Sequence, residues 1–424
     1  MKKALKGHII HTPVFGAYEI VPQGYLVYEG DRVLGVYPEL PPTHADAAVT
    51  DCGDRLVIPG FVDLHLHAPQ FANRGLGLDK ELLPWLETYT FPEESKYGDL
   101  VFAEKAYKRF VKALWRQGTT RSIVFATQHR EATELLMELM HRAGLGGYVG
   151  KVNMDRNCPD FYIEPTEVSL RETERFIEET QDRWPLVKPI ITPRFVPTCT
   201  AELMQGLGDL GRKYGVPVQS HLSENTGENA WVKALHPDIK DYASVYDTYG
   251  LFGQQKTVMA HCVHVTEDEI ALMAKNQVYV AHSPHSNNNL SSGLAPVRRM
   301  LEAGVPVGLA SDVSGSHEIA MPRVMTAAAH VSKFRWLESG KTAQPLTTPE
   351  LLYMATKGGG SFFGAVGSFE AGYAMDALVI DDSSLADVNE RNLEERLQRY
   401  IYCGDDRNIT SRYVAGQLLE EPNF

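Results

Sequence analysis

Two histidines, His65 and His67, stand at the end of a short apolar run and have the spacing of a metal-binding pair. The run follows Pro59 and Gly60, which are typical of a turn, and it is too short for a helix, so it predicts a buried strand. Side chains alternate along a strand, and the two imidazoles should therefore point the same way. Two converging neutral imidazoles form half of a zinc or iron site. The alternative is a hydrogen-bonded pair without a metal, so further ligands must come from elsewhere in the chain.

Other histidines and acids follow later apolar runs. His221, His261 and Asp312 each stand at the end of such a run. We predict one metal ion bound by His65, His67, His221 and Asp312, with one position left to a water whose pKa falls to around 7. Asp312 would also accept the proton of that water. His261 would orient the hydroxide and stabilise an oxyanion-like intermediate.

Glu224 lies three residues after His221, where it can move a proton without binding the metal. A carboxyl group in this place is what hydrolytic deamination requires as a general acid and base. The alternative is that Glu224 caps the helix that follows.

These candidates need a scaffold that brings distant strand ends together. From Phe61 to about Gly364 the sequence alternates strand-like apolar runs with amphipathic helical patterns. The eight strand candidates are 61–67, 121–126, 148–154, 187–195, 216–221, 257–261, 278–282 and 305–311. This α/β pattern predicts a (β/α)8 TIM-like barrel, in which functional side chains gather at the C-terminal ends of the strands. A doubly wound open sheet is the alternative, but no GxGxxG motif follows an early strand.

The two ends of the chain do not alternate strand-like and helical patterns. Residues 1–58 and 369–424 contain short β-prone runs, including Tyr400 to Cys403. Neither segment looks able to bury a core alone, so we predict that they pair into one small β-sandwich. The predicted domains are thus a composite of 1–58 plus 369–424 and a catalytic barrel over 59–368. The connection from Ala68 to Asp99 is too long for an ordinary barrel loop, and we expect it to cover the site.

Composition narrows the class of function. The 424 residues are 43% hydrophobic and 22% charged, and the formal net charge of -13 argues against nucleic-acid binding, which needs a basic face. No apolar run is long enough to span a bilayer, and the N-terminus lacks a signal-peptide pattern. Five scattered cysteines without a CxxC motif favour a reducing cytoplasm and argue against a cysteine-held zinc. The expected partner is a small molecule.

Several stretches resemble the amidohydrolase superfamily and, within it, the guanine deaminase family. The segment from Pro59 to His67 is similar to the superfamily's entry motif, and His221, His261 and Asp312 follow in the expected order. The matching stretches, which extend over nearly the whole chain, are HAPQ (67–70), YTFP (89–92), VGKV (149–152), TPRF (192–195), HLSEN (221–225), VMAH (258–261), LSSG (290–293) and GDDRNI (404–409). TPRF and GDDRNI are far more specific than the first motif.

The resemblance implies hydrolysis of guanine to xanthine and ammonia, a step of purine catabolism, by a cytoplasmic homodimer with one Zn2+ or Fe2+ per subunit. It implies substrate contacts by His67, Gln70, Arg194, Phe195, His221, Glu224 and Asp312. Gln70 can both donate to and accept from the edge of a base. Arg194 can donate to O6 and N7. Phe195 would stack on the base or wall the pocket, while Glu224 would protonate ring N3 and then the leaving amine.

Some features depart from the resemblance or leave alternatives open. Strand four ends in Arg194 and Phe195 without the carboxylated lysine of binuclear amidohydrolases, which favours one metal ion. After strand seven the chain reads AHSPHSNNNL (281–290), with His282 and His285, where the family more often has Cys-Pro and Asn-Ser-Asn. We predict that His285 is a loop residue and that His282 lines the pocket without binding the metal. A non-catalytic binding protein, or an amidohydrolase acting on cytosine, adenosine-type or triazine rings, remains an alternative.

Overall fold

The computed structural model describes every residue from Met1 to Phe424. Its strands are β1 (Lys2–Val14), β2 (Ala17–Glu29), β3 (Arg32–Tyr37), β4 (Ala48–Pro59), β5 (Phe61–His67), β6 (Thr119–Phe125), β7 (Gly146–Gly150), β8 (Val152–Asn153), β9 (Val187–Pro189), β10 (Thr192–Pro193), β11 (Val218–Leu222), β12 (Thr257–His261), β13 (Tyr279–His282), β14 (Val307–Leu309), β15 (Ala377–Ile380), β16 (Ile409–Val414) and β17 (Gln417–Leu418).

The α-helices connect and flank these strands. They are α1 (Leu82–Trp85), α2 (Phe91–Glu94), α3 (Leu100–Arg116), α4 (Arg130–Arg142), α5 (Thr166–Thr180), α6 (Ala201–Tyr214), α7 (Thr226–Leu235), α8 (Tyr242–Thr248), α9 (Glu267–Asn276), α10 (Pro284–Asn289), α11 (Val297–Glu302), α12 (Met321–Glu338), α13 (Thr348–Tyr353) and α14 (Leu393–Cys403). None of them has the length and apolar character needed to cross a membrane.

Strands from both ends of the chain share one seven-stranded sheet, in the order β17-β16-β15-β4-β1-β2-β3. The junction is β4, which pairs in parallel with β1 and antiparallel with β15. Twelve buried residues, including Leu26, Val57 and Val379, form the apolar cluster of this region. The two ends therefore pair as expected, but the predicted sandwich is not confirmed, because all seven strands belong to a single hydrogen-bonded sheet.

The β-run predicted from Tyr400 to Cys403 is wrong, because these residues form the last turn of α14. The helix begins with a capping box in which Asn392 and Glu395 each bond to the other's backbone N–H. Its buried residues Leu397, Tyr400 and Ile401 have the spacing of one helical face. That spacing outweighs the β propensity of the short aromatic run.

The central strands form two parallel sheets of four, β5-β6-β7-β9 and β11-β12-β13-β14. Backbone hydrogen bonds join the two sheets at both edges. Asp312 N donates to His65 O over 2.8 Å at one edge, and Gln219 N donates to Ile191 O over 2.9 Å at the other. The fold is therefore of the mixed α/β, TIM-barrel type, and it brings the C-terminal ends of β5, β11, β12 and β14 to one face.

Two of the predicted strands are interrupted. The run predicted over 187–195 is divided into β9 and β10, and the run over 148–154 into β7 and β8. Pro189 and Pro193 lack the backbone N–H that a continuous ladder needs. Arg194 and Phe195 follow β10 directly and lie beside His67 and His221 at the C-terminal end of the strands.

Helix α3 illustrates how sequence pattern fixes the outer layer. Asp99 caps its N-terminus by accepting from the N–H groups of Val101 and Phe102. The buried positions Ala103, Tyr107, Phe110, Val111 and Leu114 recur at helical spacing and face the strands.

Candidate active site

Four side chains from three strand ends converge at the centre of this face. Asp312 Oδ1 lies 3.2 Å from Nε2 of His65 and 3.6 Å from Nε2 of His67. Nε2 of His67 lies 3.2 Å from Nε2 of His221. All four side chains are buried. The two histidines of β5 thus point the same way, as the strand pleat predicts, and they meet partners that are 154 or more residues away along the chain.

The backbone at these strand ends adopts conformations that L residues rarely take. His261 has φ of 71° and Asp312 has φ of 49°, both in the left-handed region. Ser223, next to Glu224, has φ of 50°. Such conformations persist only where the surroundings enforce them, and they cluster at functional sites. Here they turn the chain sharply after the strand and aim the side chains into the centre.

Asp63 helps to position Asp312 through hydrogen bonds to the neighbouring residue Ser311. Its buried carboxylate accepts from Ser311 N over 3.0 Å and from His65 N over 3.2 Å, and it also binds the Ser311 hydroxyl. Burial raises the pKa of Asp63 to about 6. These bonds tie the residue before Asp312 to the strand that carries His65.

The donor atoms of this cluster suit a divalent metal ion. His221 Nδ1 lies 2.6 Å from the carbonyl oxygen of Arg194, which can only accept, so the proton sits on Nδ1 and Nε2 presents a lone pair. Nε2 of His65 is buried and has no neighbour to bond with other than the Asp312 carboxylate, 3.2 Å away. Burial lowers the pKa of His65, His67 and His221, which keeps the imidazoles neutral. His65, His67 and Asp312 meet the spacing of a metal-binding group, and so do His65, His221 and His261.

The charge state of Asp312 also suits a cation. Burial alone would raise the pKa of this carboxyl, but its charge interaction and hydrogen bond with His65 hold the pKa below the usual value. An ionised carboxylate among neutral imidazoles is the ligand set expected for zinc or iron.

Glu224 and His261 stand beside the cluster. The Glu224 Oε2 atom lies 3.5 Å from His261 Nε2, which in turn lies 3.8 Å from Asp312 Oδ2. Burial, followed by repulsion from Asp312 and Glu228, raises the pKa of Glu224 well above its usual value. The capping alternative for Glu224 is wrong, because Asn225 caps α7 and Glu228 is the acid of its capping box.

One cavity lies against these groups and contains all seven residues for which substrate contacts were expected. The lining residues are His67, Gln70, Leu82, Trp85, Leu86, Arg194, Phe195, His221, Glu224, His261, Leu290, Asp312 and Gly315. The segment 68–99, hereafter the cover segment, contributes Gln70, Leu82, Trp85 and Leu86. It forms short helices rather than an open loop, and it lies over one side of the cavity.

Sequence reasoning missed Glu94, which is fully buried behind the cavity. Its two carboxylate oxygens accept from Gln70 Nε2 and from Arg194 Nη1, each over 2.7 Å. Burial opposes the charge of Arg194, but the attraction and hydrogen bond of Glu94 outweigh it and raise the pKa of Arg194. The resemblance to the family could have pointed to Glu94, because this residue lies two positions after the matching YTFP stretch.

The prediction that His282 lines this cavity is wrong. His282 lines a different cavity, between α11 and α12 and with neighbours that include Ala295 and Ala328. Burial lowers the pKa of its imidazole to about 3. His285 belongs to α10 rather than to a loop, and its Nε2 lies 3.2 Å from the carbonyl oxygen of Arg323. Neither histidine is among the residues that line the cavity beside Glu224.

Comparison with known proteins agrees with this architecture. Residues 56–419 match the model of the amidohydrolase family. The chain belongs to the amidohydrolase family.

Within that family, proteins named guanine deaminase are similar to this chain over nearly its full length. The guanine deaminase of Dictyostelium discoideum is 40% identical over 443 residues, covering 99% of this chain and 98% of the relative. The guanine deaminase of Escherichia coli (strain K12) is 34% identical, covering 95% of this chain and 91% of the relative. A crystal structure of guanine deaminase from C. acetobutylicum with bound guanine in the active site superposes with a TM-score of 0.97 at 49% identity, over 99% of this chain and 100% of that one.

Proposed function

We propose that this protein is a guanine deaminase, which hydrolyses guanine to xanthine and ammonia. The observation that carries the proposal is the placement of Glu224 beside the cluster of His65, His67, His221 and Asp312, in a cavity that also contains Arg194. The relatives that share nearly the full length of the chain bear the name of this activity.

One divalent ion, zinc or iron, would be held by His65, His67, His221 and Asp312. The buried, neutral imidazoles and the single carboxylate support this ligand set. When bound, such an ion lowers the pKa of a water molecule to around 7 and so provides a nucleophile at neutral pH.

Glu224 moves the protons of the reaction. Its raised pKa lets the carboxyl group hold a proton in the closed site and deliver it to N3 of guanine, which makes C2 electrophilic. The same carboxyl then takes the proton from the attacking water and passes it to the amino group, which leaves as ammonia. The water oxygen becomes O2 of xanthine.

Two further groups assist this sequence. His261 Nδ1 lies 2.9 Å from Asn287 Oδ1, an acceptor that holds the proton on Nδ1. Nε2 of His261 therefore presents a lone pair between Glu224 and Asp312, where it can orient the water by accepting a hydrogen bond from it. Asp312 accepts the second proton of the water, and transfer of this proton to Glu224 restores both carboxyl groups to their starting states.

The purine is bound by what we call the recognition wall, which consists of Gln70, Arg194 and Phe195. The guanidinium of Arg194 donates to the O6 and N7 acceptors of guanine. Gln70 bonds to the adjacent edge. The ring of Phe195 is 5% exposed and its centroid lies 6.5 Å from that of His221, so it walls the pocket next to the candidate metal ligands.

The organisation of the whole chain is part of the proposal. The eight central strands form a closed (β/α)8 barrel over 59–368, supported by the backbone bonds that join the two sheets at both edges. Residues 1–58 and 369–424 make up the composite second domain. The protein acts as a cytoplasmic homodimer, as its resemblance to the family implies.

A substrate panel tests the proposal. Zinc-loaded protein is assayed for ammonia release from guanine, 8-oxoguanine, cytosine and adenine. We expect guanine to be the best substrate and cytosine to be poor, because a pyrimidine lacks the imidazole edge that Arg194 recognises. Release of ammonia from cytosine or adenine but not from guanine would assign the chain to another amidohydrolase activity.

A further inference from the structure

Glu94 is a buried acid that contacts two residues of the recognition wall and does not itself line the cavity. Its side chain is 0% exposed. Oε1 accepts from Gln70 Nε2 and Oε2 accepts from Arg194 Nη1, both over 2.7 Å. These partners come from distant parts of the chain, since Gln70 is 24 residues before Glu94 and Arg194 is 100 residues after it. The carboxylate of Glu94 thus links Gln70 of the cover segment to Arg194, which directly follows β10.

The contact with Gln70 determines which way its amide faces. A carboxylate offers acceptors only, so the NH2 group of Gln70 must turn toward Glu94. The carbonyl oxygen of the amide is then left to accept a hydrogen bond from a ligand in the cavity. If Glu94 were uncharged and able to donate, the amide could turn over and present its NH2 group instead.

The contact with Arg194 keeps a charged donor at the same wall. The guanidinium is 3% exposed, and its central carbon lies 5.1 Å from the centroid of the Phe91 ring. Phe91 and Glu94 are both residues of α2. Burying an arginine without a counter-charge is costly, and Glu94 provides that charge. One nitrogen of the guanidinium is occupied by Glu94, and the remaining N–H groups are available to a ligand.

We propose, on the basis of the proposed function, that Glu94 is a positioning residue that sets the hydrogen-bond polarity of the recognition wall. It makes Gln70 an acceptor and Arg194 a charged donor. Guanine has the complementary edge, with N1–H as a donor beside O6 as an acceptor. A 6-aminopurine has the reverse edge, with N1 as an acceptor beside an amino donor. Glu94 therefore selects the 6-oxo purine over the 6-amino purine without touching either.

The matched probe is 2,6-diaminopurine, which keeps the reacting 2-amino group of guanine and reverses only the neighbouring edge. The measurement is the ratio of kcat/KM for guanine to that for 2,6-diaminopurine. In Glu94→Gln the new amide can donate to the Gln70 carbonyl, so that Gln70 can turn its NH2 group into the cavity. We expect the ratio to fall by roughly tenfold or more, with guanine losing mainly through KM and the metal content unchanged.

Glu93→Gln is the control. Glu93 is a buried acid of the same helix, 7% exposed, and its carboxylate pairs with Lys96 rather than with the recognition wall. We expect this variant to keep the wild-type ratio. A fall equal to that of Glu94→Gln would overturn the proposal, because the effect would then belong to the helix and not to the two hydrogen bonds.

Glu94→Asp supplies a second test that does not depend on the folding of Glu94→Gln. This variant keeps the charge but shortens the side chain by one methylene. We expect its kcat/KM ratio of guanine to 2,6-diaminopurine to lie below that of the wild type. If Glu94→Gln also folds, the ratio of Glu94→Asp should lie between those of the wild type and Glu94→Gln. A wild-type ratio in either folded variant would overturn the role of Glu94. A wild-type protein that acts on neither purine would instead reject the proposed function itself.

Discussion

Nε2 of His67 and Nε2 of His221 face each other across 3.2 Å, although the two residues are 154 positions apart in the chain. The proton of His221 is held on Nδ1 by the carbonyl of Arg194, so its Nε2 can only accept. Burial lowers the pKa of both imidazoles well below the usual value, so each ring is neutral and carries a single proton. The lone pair of His221 Nε2, next to a second neutral imidazole and the Asp312 carboxylate, suits a ligand arranged around a cation.

Replacement of the proton-transfer group should separate chemistry from metal binding. Glu224→Gln keeps the shape of the side chain but cannot exchange the proton. We expect kcat to fall by about 10²- to 10⁴-fold while metal content stays at the wild-type level. Steady-state kinetics with metal analysis measures both. The exposed acid Glu267 gives a control, since Glu267→Gln should leave kcat unchanged; an active Glu224→Gln would remove Glu224 from the mechanism.

His261 belongs to one of the two clusters with metal-binding spacing, yet we assign it to orientation of the water. We expect His261→Ala to lower kcat by about 10²-fold with metal content retained, because one stabilising interaction is lost in the transition state. Elemental analysis of the purified variant distinguishes the roles. If the variant no longer retains the metal, His261 is a ligand and the assignment is wrong.

Arg194 should act mainly on substrate binding. Arg194→Ala removes the donor to O6 and N7 and leaves the buried Glu94 carboxylate without its counter-charge, with Gln70 as its remaining donor. We expect KM for guanine to rise by roughly 10- to 100-fold, with a smaller change in kcat. Arg194→Lys keeps the charge without the planar fork and should recover part of the loss. An unchanged KM in the alanine variant would contradict this role.

The ion pair between Arg298 and Glu350 makes stability depend on pH away from the site. Both Glu350 oxygens accept from Arg298, over 2.9 and 2.8 Å, at side-chain exposures of 17% for the arginine and 11% for the glutamate. Burial opposes ionisation of Glu350, but the hydrogen bonds and charge of Arg298 outweigh it and lower its pKa. A lowered folded-state pKa contributes stability that is present above the pKa of the unfolded chain and is lost as pH falls.

We therefore expect Glu350→Gln to lower the free energy of unfolding by about 1–3 kcal/mol near pH 7. The difference from the wild type should shrink as the pH falls through the lowered pKa of Glu350 in the folded state. Urea unfolding at a series of pH values measures it. A difference that stays constant down to acid pH would show that the lost interaction is not ionic.

The parts of the site that lie at strand ends could be predicted from the sequence. His65, His67, His221 and Asp312 follow short apolar runs, and the geometry of parallel strands brings such ends to one face. Glu94 could not be found in this way, because its role depends on how the cover segment folds over Arg194, and no periodicity encodes that contact. His282 was misplaced for a related reason, since it follows a strand but its side chain lies between α11 and α12.

Stepwise addition of zinc to metal-free protein, with guanine turnover recorded at each step, tests the central claim most directly. We expect no xanthine without metal and a rate that rises linearly to a plateau at one equivalent of zinc per chain. Turnover by the metal-free protein, or a plateau only at two equivalents, would contradict a single ion held by three histidines and one aspartate.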